Sequence, residues 1–120
     1  MPHRKSPFAL LALAAALALL GGCEWPTRDL TKLEAVKAEA HMLMKAYPAD
    51  AWITPARWPR AIAALEPEGV MINADGVHIT TRAYFDGGWG YFVPRRAGEV
   101  PEPVERFEEA GVGVYWWHPY

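Results

Sequence analysis

Asp75-Gly76 stands between two runs of alternating polarity, Val70-Met71-Ile72-Asn73-Ala74 and Val77-His78-Ile79-Thr80-Thr81. An Asp-Gly pair between such runs marks a β-hairpin, because a two-residue type I′ turn requires positive φ at its corners and glycine accepts it without a steric penalty. A two-residue loop pairs Ala74 with Val77, Ile72 with Ile79 and Val70 with Thr81, since turn length sets register. Val70, Ile72, Ala74, Val77 and Ile79 then share one apolar face, and Asn73, His78, Thr80 and Arg82 the other. A chain built on this hairpin has to bury the first face against a second layer.

A helix able to supply that layer precedes it. Between Thr27 and Tyr47, Leu30, Leu33, Val36, Ala40, Leu43 and Tyr47 recur at steps of three or four and make one stripe. Thr31 with Glu34 forms a candidate capping box, with Thr27 as the alternative start, and Pro48 stops the helix. Glu34 and Lys37 fall on the solvated side. Trp58-Pro59 followed by Ile62 and Leu65 predicts a brief helix with proline in its first turn. Trp52 and Trp58 are expected to pin the proline-rich segment onto the core rather than to form a binding face.

Beyond the hairpin, Asp86-Gly87-Gly88 predicts a second turn into Trp89-Gly90-Tyr91-Phe92-Val93, ended by Pro94, and Val112 to Trp117 is a fourth candidate strand. Arg95 to Gly111 reads as a loop with one helical turn at 104–109. The expected fold is α+β: one or two N-terminal helices packed on a roughly four-stranded antiparallel meander, forming a single domain over residues 27–120.

The first residues obey a different rule. His3, Arg4 and Lys5 precede thirteen apolar residues, Phe8 to Leu20, and Gly21-Gly22-Cys23 follows. As a helix this run reaches about 20 Å, short of the ~30 Å hydrocarbon core, so it reads as a secretory signal over residues 1–22. Leu20-Gly21-Gly22-Cys23 resembles the lipobox of bacterial membrane lipoproteins. The resemblance implies a diacylglyceryl thioether on Cys23, cleavage before it and acylation of the freed amine. Stable anchoring needs more than one chain, and three on one residue meet that need. Glu24 is not the aspartate associated with inner-membrane retention, so the resemblance favours the outer membrane, periplasmic side. Residues 23–26 form the lipidated cysteine and tether, and the four steps from Cys23 to Thr27 span at most about 14 Å. Trp25 either lies among the lipid headgroups or staples the first helix.

Cys23 is the only cysteine, so the body has no internal disulfide and depends on packing. Without Arg4 and Lys5 the chain holds ten basic side chains against fourteen acidic ones, a balance that argues against nucleic acid.

Catalytic signatures are missing. His78 and His118 have no companion at helical ligand spacing and no nucleophile elbow accompanies them. Glu99, Glu102, Glu105, Glu108 and Glu109 lack calcium-loop spacing and read as a solvated acidic face. Gly87-Gly88-Trp89-Gly90 has neither the lysine nor the following helix of a phosphate loop. No metal or other cofactor is expected. The body resembles a group of small uncharacterised bacterial exported proteins through Trp58-Pro59, Ile62, Leu65, Pro67, Gly76-Val77 and Gly88 to Pro94, a resemblance that implies no activity.

The aromatic residues of the last third exceed what one core layer holds. If Trp89, Tyr91 and Val93 face inward, Phe92 faces out, and Trp116 and Trp117 cannot share a layer. Coverage of the surplus rings by the 95–111 loop and the helices is the first expectation. A recognition surface of Phe92, Arg95, Arg96 and Trp117 is the second. The expected function is therefore a non-enzymatic envelope lipoprotein that binds a protein or ligand. The alternatives are a small hydrolase using His78 or His118 with an acidic loop residue, and an inhibitor or immunity-type lipoprotein.

Overall fold

The structure, a computed structural model, describes residues 26–83 and 88–118. The leader, Cys23, Trp25 and Asp86-Gly87, with the expectations attached to them, lie outside the described residues. Helix α1 spans Leu30–Ala46. Its cap is Asp29, not Thr27 or Thr31: the Asp29 carboxylate accepts from the amides of Thr31 (3.0 Å) and Lys32 (3.2 Å). A carboxylate both satisfies orphan amides and meets the positive end of the helix dipole, which a hydroxyl does less well. Thr27 sits two residues before the cap, where its hydroxyl accepts from the Asp29 amide. Leu33, Val36, Ala40, Leu43 and Met44 are buried, whereas Leu30 is 65% exposed and lies off the stripe. Glu34 and Lys37 pair at 3.0 Å on the solvated side.

Helix α2, Arg60–Ala64, begins one residue later than expected, with Pro59 as its cap. Proline offers no side-chain acceptor, so α1 provides one. The two carboxylate oxygens of Glu39 accept from the Ala61 amide (3.0 Å) and the Ile62 amide (2.9 Å). That cross-helix cap seats Ile62, which is fully buried, against the core.

Among the described residues six strands form one antiparallel sheet: β1 Ala51–Trp52, β2 Gly69–Ile72, β3 Gly76–Arg82, β4 Trp89–Pro94, β5 Phe107–Gly111 and β6 Val114–Trp117, in the order β1-β2-β3-β4-β6-β5. The four expected strands are the four inner ones, and the α+β class holds. The two additional strands are the edges. β1 is two residues long among prolines, and β5 reads Phe-Glu-Glu-Ala-Gly, so neither carries the apolar alternation of an inner strand. Short length and charge are how edges avoid pairing with other chains. The 95–111 segment is thus corrected: its helical part is a single 3₁₀ turn, Val104–Arg106, and its end is a strand.

The hairpin register is corrected as well. Ile72 pairs with Val77 and Val70 with Ile79, two residues from the expected pairing. The Asn73 amide donates to the Gly76 carbonyl (2.9 Å), which puts Ala74-Asp75 at the corner. Asn73 Oδ1 accepts from the amides of Asp75 (2.9 Å) and Gly76 (3.1 Å), an Asx turn that outcompetes the Asp-Gly corner. A shift of two preserves side-chain parity, so Val70, Ile72, Val77 and Ile79 still share one buried face.

That face, with Tyr91, Val93, Val114 and Trp116, packs against α1 and α2. Tyr91 and Trp116 meet edge to face at 5.0 Å, and Tyr91 Oη accepts from the Thr27 amide (2.8 Å), which ties the segment before α1 to the sheet. Trp58 pins its loop as expected, donating to the Ile53 carbonyl (2.9 Å). Trp52 does not: it is 72% exposed, on the opposite face of the sheet. Among the described residues no helix is long and apolar enough to cross a membrane.

Candidate functional site

Residues that alternate with the core fill the other face: Trp52 on β1, Met71 on β2, His78 and Thr80 on β3, Phe92 on β4, Tyr115 and Trp117 on β6, and Phe107 on β5. Among the described residues no α-helix covers it. β4 and β5 run in the same direction with β6 between them, so the 95–106 connection has to cross over β6, and part of it lies over this face. It roofs part of it. Val100 and Pro101 line a space with Phe92 and Phe107, Pro101 is buried, and Phe92 is only 3% exposed.

Three glycines shape the floor. A Cβ on Gly90 would meet the Ile79 carbonyl and stand 2.5–2.7 Å from the Trp117 indole. One on Gly76, whose φ is +156°, would crowd the Val93 carbonyl and the Phe92 ring at 3.0 Å. One on Gly69 would stand 3.3 Å from the Trp52 ring. Each missing side chain lets a large ring lie close over the backbone. Glycine within a strand is the mark of such close approach.

Between this floor and the loop runs a groove made of two adjoining cavities of about 410 and 330 Å³, both lined by His78, Glu102 and Phe107. Asp75, Phe92, Glu99, Val100 and Pro101 complete one end. Trp52, Met71, Thr80, Gly88, Pro103, Arg106, Trp117 and His118 complete the other. The volumes lie in the range that takes a small ligand.

His78 stands at the centre. Its ring centroid lies 4.6 Å from that of Phe92, tilted, and 5.6 Å from that of Trp117, edge on. Phe92 meets Phe107 edge to face at 5.7 Å. Burial among these rings pushes the His78 imidazole below its usual value, and the charge of Asp75 offsets only part of this. Burial, then Glu109, raises the Tyr115 phenol.

The recognition residues read from the sequence separate. Phe92 and Trp117 meet around His78. Arg95 is committed to the hairpin turn, where its guanidinium donates to the carbonyls of Ala74 (3.1 Å) and Asn73 (2.9 Å) and its amide to Asp75 (2.8 Å). Arg96 lines a different cavity of about 250 Å³ beside Lys37, His41 and Glu109. The residues the sequence left out are Trp52, Met71, Glu102 and Phe107. Gly69, Gly76 and Gly90 at strand positions were the signal that rings would lie there. Among the described residues no group of three or more His, Cys, Asp or Glu stands close enough together to hold a metal. No protein-family model, no curated protein and no solved structure matches the chain.

Proposed function

We propose that this chain is a lipid-anchored binding module on the periplasmic side of a bacterial envelope, held through Cys23 in the outer membrane by preference, and that its binding face is the groove around His78. One observation carries the binding reading: among the described residues no α-helix covers this face of the sheet, and Trp52, Phe92 and Trp117 stand over glycines on it with Phe107 beside them. Exposed aromatic surface beside a preformed cleft is the usual character of a recognition site. The anchor rests on the lipobox and the basic, apolar leader. A short tether agrees with it, since the Thr27 amide, four residues after Cys23, is held by Tyr91.

A benzophenone side chain in place of Trp52 or Trp117, in intact cells, tests the binding reading against the same group in place of Met42, which is 62% exposed on the outer side of α1. Defined adducts from 52 and 117 and none from 42 are expected. Equal yields at all three positions, or none at the groove, count against it. Intact mass of membrane-extracted protein tests the anchor, and an unmodified Met1 start removes it.

A second reading has one observation in its favour. His78, His118 and Glu102 line the same cavity, so the acid and the histidines of a small hydrolase stand around one space. Ester hydrolysis by the purified protein that disappears in both His78→Gln and His118→Gln would establish that reading. Activity unchanged by either removes it.

A further inference from the structure

We propose that the groove takes a small organic cation, a ligand with an apolar or aromatic body and one protonated amine. This rests on the reading of the groove as the binding face, and adds which chemistry it selects. The cavity and its rings define the site, and its charge distribution decides the occupant.

The loop-covered end is walled by Phe92 and Phe107 and bordered by three carboxylates, Asp75, Glu99 and Glu102. Among the described residues neither Glu99 nor Glu102 has a hydrogen-bond or ion-pair partner for its carboxylate. Burial holds His78 neutral near pH 7, so the floor adds no positive charge. The nearby guanidinium groups lie outside this cavity: Arg95 donates to the turn carbonyls, and Arg106 lines the adjoining one. Three carboxylates around a cavity that no Lys or Arg among the described residues lines, with the Phe107 ring beside them, make an environment that favours an ammonium group. The other end, lined by Trp52, Met71 and Trp117, receives the apolar body. An anionic ligand would meet three like charges at the loop-covered end, and a folded partner does not fit a cavity of about 410 Å³.

The test uses full-length detergent-solubilised protein at pH 7 and three probes of one shape and different charge: phenethylamine, 2-phenylethanol and 3-phenylpropionate. The readout is the shift of the Trp52 and Trp117 indole resonances. Phenethylamine is expected to bind about tenfold more tightly than the alcohol, the size of one cation–π contact plus exposed charge pairs. The E99Q/E102Q double variant, altered at two exposed positions, is expected to remove most of the amine's advantage over the alcohol, Asp75 and the rings keeping the rest, while leaving the alcohol unchanged. Equal binding of amine and alcohol, tighter binding of the propionate, or indifference of the amine to E99Q/E102Q overturns the cation assignment. In each of those cases shifted indoles leave the groove itself standing. No shift with any probe overturns the assignment too, and the crosslinking at 52 and 117 then decides the groove separately.

Discussion

The two faces of one sheet are built from the same strands by different means. Towards the helices the residues are aliphatic and β-branched: Val70, Ile72, Val77, Ile79, Val93 and Val114 are at most 1% exposed. Towards solvent the same strands carry Gly69, Gly76 and Gly90 beneath Trp52, Phe92 and Trp117. Branched side chains have few rotamers and fill a layer densely, which suits a core that no disulfide supports. A ring set over a glycine lies against the backbone and leaves no side chain beneath it. The difference teaches that stability and recognition are divided by side-chain parity, residue by residue, rather than between separate segments of chain.

Substitution on the covered side should cause the largest loss. Ile79→Ala is expected to cost about 3–4 kcal/mol in denaturant unfolding, from lost burial and the cavity left behind. A loss below 1 kcal/mol would mean that the core does not rest on this face. Gly90→Val strikes the boundary between the faces, since its side chain collides with the Ile79 carbonyl and the Trp117 ring. It should cost about 2–3 kcal/mol and change the near-UV circular dichroism as Trp117 is displaced. Glu39→Ala acts within the helical layer alone. Leaving the Ala61 and Ile62 amides without their acceptor should cost about 1–2 kcal/mol and leave that near-UV signal intact.

A smaller effect comes from pH. Because burial lowers the folded pKa of His78 from 6.5, the unfolded chain takes up the proton first as pH falls. Stability from this source is fully present above about pH 6.5 and is lost as pH drops towards the lower folded value. The groups facing His78, Asp75, Glu99 and Glu102 on the acidic side and Arg106 and His118 at the far end, are retained in His78→Asn. That variant should therefore flatten the slope of stability between pH 7 and 5, measured by urea midpoints. An unchanged slope would place the proton uptake elsewhere. The smallest effect is expected for Trp52→Ala, within about 0.5 kcal/mol of the parent. A loss of 2 kcal/mol or more would show that the open face is also a core.

How much of this could be read from the sequence follows from the same parity. Alternation in Val70 to Thr81 assigned Val70, Ile72, Val77 and Ile79 to the core face and His78 and Thr80 to the other, though not Ala74, which stands at the corner, and it separated Trp116 from Trp117 and Tyr91 from Phe92. Register was missed because Asn73 formed an Asx turn, a local competition that alternation does not report. The edge strands were missed because β1 is too short to alternate and β5 carries Glu108 and Glu109. The groove was only half legible. Rings and glycines are visible in the chain, but the connection across Phe92 exists because β6 inserts between β4 and β5, a long-range pairing that no local pattern encodes.

Oxidative footprinting of the six tryptophans, in the purified protein and in intact cell envelopes, tests the division between the faces most directly. The expected result is rapid modification of Trp52 and Trp117 in the purified protein with Trp116 resistant, and selective protection of Trp52 and Trp117 in the envelope. Equal modification of Trp52 and Trp117 in both settings would contradict a groove that is occupied where the protein works.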